Sequence, residues 1–165
     1  TIRIVWIDTA PMMDKYRNDS TTYPDACKQD LQKQLSWIDS VLTNAKEDWI
    51  IVAGHHPIYA ETSKDDSERL DMQNRLDPIL RKHKVDMYIC GHIHNFQHIR
   101  ILGRNIDYVV NSAGSLARKV KPTVGTVFCS PEPGFSVISA DKKTLTLRMI
   151  DKKGNILHTV TRNSQ

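Results

Sequence analysis

The chain has 165 residues and a mass of 18.9 kDa, one domain's worth of polypeptide. With 39% hydrophobic and 25% charged residues and a mean hydropathy of -0.45, it is neither disordered, collagen-like nor coiled-coil, and no apolar run approaches the ~20 residues of a spanning helix, so no membrane contact is expected. The net charge of +4 is spread along the chain; it mildly favours anionic ligands without forming the dense basic stripe of a nucleic-acid binder.

Ile2 to Ile7 is an apolar run rich in β-branched residues and predicts a buried strand. Residues 10–29 carry Pro, Asn, Asp, Ser and Thr without periodicity and predict a long loop, within which Asn18-Asp19-Ser20 fits a glycosylation acceptor. From Asp30 to Ala45 the apolar residues Leu31, Leu35, Ile38 and Leu42 recur at helical spacing. Trp49 to Ala53 is a second apolar strand, completing a βαβ unit, and it leads directly into Gly54-His55-His56-Pro57. Glu68 to Lys82 predicts a helix with a break at Asp77-Pro78, and Met87 to Cys90 a third strand, ending in Gly91-His92-Ile93-His94.

After this the period changes. His98–Leu102, Ile106–Val110, Phe135–Ser139, Leu145–Ile150 and Ile156–Thr161 predict an antiparallel meander, with residues 114–134 as an irregular loop inside it. Cys27, Cys90 and Cys129 are odd in number and lack a C-x-x-C pair, which indicates neither a disulfide framework nor a cysteine zinc site.

Ligands of open α/β sheets bind beyond the carboxyl ends of the strands, and two consecutive strands here deliver histidines to that edge. On an extended exit His92 and His94, at i and i+2, project to the same side, and neutral imidazoles so paired suit a metal ion. His55 joins them, whereas His56 is expected to point the opposite way, as a structural or substrate-facing residue. His83, at a helix end, and His158, in the meander, are read as structural.

The stretches Val52–His56–Tyr59 and Cys90–His94–His98 resemble the last two of five sequence blocks of calcineurin-like metallophosphoesterases, and are especially similar to the small, tartrate-resistant type of purple acid phosphatase. Ile7-Asp8-Thr9, Gln34-Leu35-Ser36-Trp37, Ser112-Ala113-Gly114 and the meander from Gly134 add support, so the likeness spans nearly the whole chain. It implies an α/β fold, part of a four-layer αββα sandwich, and hydrolysis of phosphate monoesters at a binuclear centre of Fe3+ and a divalent ion, Fe2+, Zn2+ or Mn2+. His55 and His92 then bind the divalent ion and His94 the ferric one, with His56 facing substrate. Alternatives are phosphodiesterase or nuclease chemistry on the same scaffold, or a non-catalytic metal-binding or interaction module.

Ile93 stands where the family often has Asp. No Gly-Asp and no Gly-Asn-His occurs, so the family's first three blocks, which carry its carboxylates and general acid, have no counterpart. The chain is therefore expected to be the C-terminal half of one catalytic domain, with no catalytic acid or base of its own. Expected partners are a small phosphorylated substrate, the missing N-terminal half, and in its absence a second copy of the chain. Kinship with purple acid phosphatases implies export.

Overall fold

The computed structural model describes residues 1–111 and 114–164, and its organising element is a mainly parallel sheet with a helical layer on one face and a second sheet on the other. β1 (Ile2–Trp6), β2 (Trp49–Ala53), β3 (Met87–Cys90) and β5 (Asp107–Val110) run parallel, and β4 (Phe96–Ile99) and β6 (Thr126–Ser130) continue the sheet antiparallel, in the order β1-β2-β3-β5-β4-β6. Side chains alternate across a strand, so Val5, Val52, Tyr88, Cys90, Tyr108 and Val110 face one layer while Ile51, Met87 and Val109 face another. Burial of both faces explains why β2 and β3 read as unbroken apolar runs, whereas β1, expected to be buried, is so only at Val5, because it borders the sheet.

The first layer is helical. α3 (Leu31–Thr43) is capped by Asp30, whose carboxylate accepts from Lys33 N at 3.0 Å, and it buries Leu31, Ile38 and Leu42. α4 (Asp66–Arg75) and α5 (Asp77–Lys82) add Met72, Leu76 and Leu80, with the break between them where Pro78 removes a backbone donor. On the opposite face lies an antiparallel sheet of β7 (Gly134–Ala140), β8 (Thr144–Asp151) and β9 (Ile156–Asn163), which packs Leu145, Leu147, Met149 and Val160 on the parallel strands. Trp49 Nε1 ties the two sheets by donating to Asp141 O at 2.6 Å. Helices, sheet and sheet are three of the four expected layers.

Three expectations are corrected. Residues 10–29 contain a 3-10 turn (Ala10–Met12) and two short helices, α1 (Asp14–Arg17) and α2 (Pro24–Lys28), too short to show a period. The region 114–134 contains β6. β4 and β5 belong to the parallel sheet, not to the meander, because β5 pairs with β3 in register Ile89↔Val109. Ser112-Ala113 lie outside the described residues.

β1 borders the sheet, with Ile4 at 43% and Trp6 at 74% exposure, and these two side chains open a groove of about 410 Å³ between the sheets, shared with Ile51, Ile89, Ile138 and Leu147. The apolar layer between the sheets is thus uncovered along its β1 side.

At the far end of the sheet, Asp107 is fully buried and accepts from His98 Nε2 (2.6 Å), Arg100 Nε (2.7 Å) and Arg162 Nη1 (2.9 Å). Burial raises its pKa, but these hydrogen bonds outweigh burial and hold the carboxyl well below the usual carboxylate range. A depressed folded pKa contributes stability that is present above the unfolded value near pH 4 and is lost as pH falls through the folded value. Asp107→Asn is expected to cost about 3 kcal/mol in urea unfolding at pH 7, because it takes a buried carboxylate away from His98 and from the Arg162 guanidinium, which is left with Asp86. Wild-type stability is expected to fall below about pH 4. A cost under about 1 kcal/mol would mean the cations are satisfied without the carboxylate.

Candidate metal centre

Two glycines bring the histidine-bearing turns together. β2 and β3 pair in register Val52↔Tyr88, and the pairing continues past the strand ends through Gly54 N to Ile89 O (3.0 Å) and Gly91 N to His55 O (3.0 Å). A Cβ on Gly54 would lie 2.6 Å from Thr9 Cγ2 and 2.9 Å from Tyr88 Oη, so only glycine lets the exit from β2 pass this close to the exit from β1.

Beyond those glycines, His55 Nε2 lies 3.0 Å from His92 Nδ1. The His56 ring stands 4.7 Å from that of His55 and 4.3 Å from that of His92, and one nitrogen of each of the three imidazoles falls within 4.8 Å of the others. His56 is buried: its Nδ1 faces Thr9 Oγ1 at 2.6 Å, its Nε2 faces Tyr16 Oη at 3.1 Å, and its carbonyl accepts from Tyr88 Oη at 2.7 Å. Burial, aided by the charge of the other two rings, lowers the His56 pKa to about 3. Burial also lowers His55 and His92, against the pull of Glu68. Both ring nitrogens of His56 are engaged by hydroxyls, so His55 and His92, whose nitrogens face each other, are the pair placed to receive a cation.

The donor set suits one borderline ion. A tetrahedral ion with bonds of about 2.0–2.1 Å to nitrogen sets two ligand nitrogens about 3.3 Å apart, close to the separation found between His55 and His92. A bridged pair of ions needs a carboxylate between them, and the cluster of three imidazoles contains none.

The expected positions of two histidines are corrected. His56 turns into the cluster instead of away from it, because the chain bends at residues 55–56 and does not exit extended. His92 and His94 do not leave β3 on the extended backbone expected: both adopt left-handed backbone, with φ of 72° and 60°. His94 Nδ1 donates to Leu116 O at 2.9 Å. Ile93 between them is buried in the core beneath the helices. His83 Nε2 meets Asp39 at 2.6 Å, and His158 pairs with His98 at 2.9 Å and stacks on Phe128, both away from the cluster.

Sequence reasoning missed Glu68, Lys15, Tyr16 and Thr9. Glu68 is buried, with Oε2 3.0 Å from His92 Nε2 and Oε1 2.6 Å from Lys15 Nζ. One signal could have found it: Glu68 is a carboxylate on the stripe that continues at Met72 and Leu76. Beside His55 and His56 a cavity of about 430 Å³ opens, walled by Tyr16 and Tyr23, whose rings meet edge to face at 4.8 Å, with Thr22, Asp25 and Gln29 on its lining.

Comparison with known proteins reinforces this geometry. The chain is 29% identical to tartrate-resistant acid phosphatase type 5 of Rattus norvegicus over 95% of its length and 51% of the relative's, and 27% identical to purple acid phosphatase 3 of Arabidopsis thaliana over 95% of its length and 45% of the relative's. It thus spans about half the length of the curated relatives it matches. Among solved structures, GAP50, described as the anchor in the inner membrane complex of Plasmodium, shares the fold with a TM-score of 0.79 at 24% identity, over 99% of this chain and 50% of that one. The calcineurin-like phosphoesterase profile matches residues 7–96, more than half of the chain and the whole stretch from the end of β1 to the turn holding His92 and His94. Because that match takes in both strand ends and the turns between which the imidazoles meet, the chain belongs to the calcineurin-like phosphoesterase family.

Proposed function

We propose that this chain supplies the imidazole side of a metal centre that hydrolyses phosphate monoesters, as an acid phosphatase does. The observation that carries the reading is the 3.0 Å approach of His55 and His92 across neighbouring parallel strands in a member of this family. His55 and His92 would hold a divalent ion, Fe2+, Zn2+ or Mn2+, and His94 would serve a ferric ion from the adjoining turn. Bound cations supply neutralisation of the phosphate charge and activation of the attacking water. Lys64, whose charge reaches both His55 and His92, adds positive potential for an anionic substrate. His56 closes the floor of the cavity with its nitrogens held by Thr9 and Tyr16, and its ring would face the substrate without competing for the ions. The cavity suits a small phosphorylated molecule.

A cation pair about 3.5–4 Å apart also needs bridging carboxylate. We assign it to a part of the protein outside these 165 residues, the N-terminal half of the same domain, in keeping with relatives about twice as long. That part would cover Ile4 and Trp6 and close the groove between the sheets. Export is included in this reading from kinship with purple acid phosphatases; no helix among the described residues is long and apolar enough to cross a membrane.

A non-catalytic interaction module is the second reading, favoured by the carboxylate-free cluster and by the fold shared with a protein described as an anchor. Turnover of p-nitrophenyl phosphate by the full-length, metal-loaded protein separates the two. His92→Ala is expected to lower kcat at least about 100-fold and to reduce bound metal, whereas His56→Ala acts mainly on KM. Equal losses from both would make His56 a ligand instead of a substrate-facing residue, and full-length protein that binds metal yet never turns over would favour the module.

The 165 residues purified alone are expected to bind at most one divalent ion per chain and to show no turnover, with activity appearing on addition of the separately produced N-terminal half. Robust turnover by the 165 residues alone would dispose of the requirement for outside carboxylates.

A further inference from the structure

We propose that Glu68 is a positioning residue for the metal centre, and that Lys15 holds it in place, an inference that rests on the metal-binding reading of His55 and His92. Glu68 reaches the cluster from behind: its Oε2 lies 3.0 Å from His92 Nε2, the ring nitrogen facing away from His55. An ionised carboxylate only accepts, so the hydrogen of the neutral His92 ring belongs on Nε2, and the Nδ1 lone pair is left facing His55 Nε2. The carboxylate thereby selects the one tautomer in which His92 can receive a cation from the His55 side, and it raises the basicity of that nitrogen.

The arrangement is built and not incidental. The Glu68 side chain is 2% exposed, and its second oxygen receives Lys15 Nζ at 2.6 Å across from α1. α1 in turn is pinned to α4 by Arg75, which donates to Met12 O at 2.7 Å and Asp14 Oδ1 at 2.8 Å, and by Asp14 N, which donates to Asp71 at 2.9 Å. The same short helix places Tyr16 on His56. Lys15 and Tyr16 of α1 thus set the orientation of two of the three imidazoles, one through Glu68 and one directly.

The test uses the full-length protein and two substitutions. Glu68→Met keeps the volume on the stripe of Met72 and Leu76 and lets the Lys15 ammonium, 40% exposed, return to water. Glu68→Gln keeps one acceptor, its amide oxygen, for the His92 hydrogen, with the Lys15 ammonium again turning to water. In metal-free protein, nitrogen NMR of His92 is expected to report the Nε2–H tautomer for wild type and Glu68→Gln, and a mixture for Glu68→Met. Calorimetric titration with Zn2+ alone is expected to give roughly 10–100-fold weaker binding for Glu68→Met, with most of the affinity restored in Glu68→Gln. A purely structural role would leave the tautomer unchanged. An unaltered tautomer in Glu68→Met, affinity within about twofold of wild type, or equal losses in both variants overturns the proposal. If wild type takes up no zinc while the tautomer responds as stated, the metal reading fails and the positioning of His92 by Glu68 stands.

Discussion

The site depends on one constraint, the parallel register of β2 against β3 and its extension beyond the strands. Because Val52 stands opposite Tyr88, both strands run out at the same sheet edge, and the bonds from Gly54 N and Gly91 N carry the pairing into the two turns. A slip of one residue would turn every side chain to the opposite face, exchanging the alternation that now packs Val52 and Tyr88 under the helices and Ile51 and Met87 under the small sheet. The imidazoles are therefore placed by the two hydrophobic layers. Their 3.0 Å approach is a consequence of core packing some distance away.

Around that constraint the polar contacts form a second tier, reaching in from the segment between β1 and α3. Thr9, Lys15 and Tyr16 each meet a partner belonging to a different turn or helix: His56, Glu68, and His56 again. These are long-range contacts made by a stretch with little core of its own. Met12 and Met13 anchor it beneath α4 and leave the intervening side chains to face the cluster. The result is a site whose donors sit on strand ends and whose orienting groups sit on a short helical clasp, a division suited to holding ligands stiffly while varying what surrounds them.

How much of this was legible follows from what periodicity can report. β2, β3 and α3 are visible because burial on two faces, or on one helical stripe, leaves a pattern longer than one turn, and β1 because its residues are apolar even where they are exposed. Glycine followed by histidine at two strand ends made His55 and His92 visible for the same reason. β4 and β5 were legible as strands but not as members of the parallel sheet, since a short buried strand does not announce its neighbour. β6 escaped notice because its side chains are only half-buried. The histidine orientations failed on an assumption about backbone: strand alternation was extended into turns where His92 and His94 take left-handed φ. Glu68 stayed hidden because its partner, His92, lies 24 residues ahead, joined to it only by the fold.

The left-handed turn has an implication for how such a sequence persists. Positions with φ of 72° and 60° are occupied at lowest conformational cost by glycine or asparagine, and imidazole there is held against roughly 1 kcal/mol or more of local strain per residue. Folding alone therefore offers His92 and His94 no advantage, and random substitution toward glycine would relax the backbone while erasing both rings. Two imidazoles at positions where the polypeptide would be more relaxed without them mark the turn as one whose side chains serve the site and not the stability of the fold.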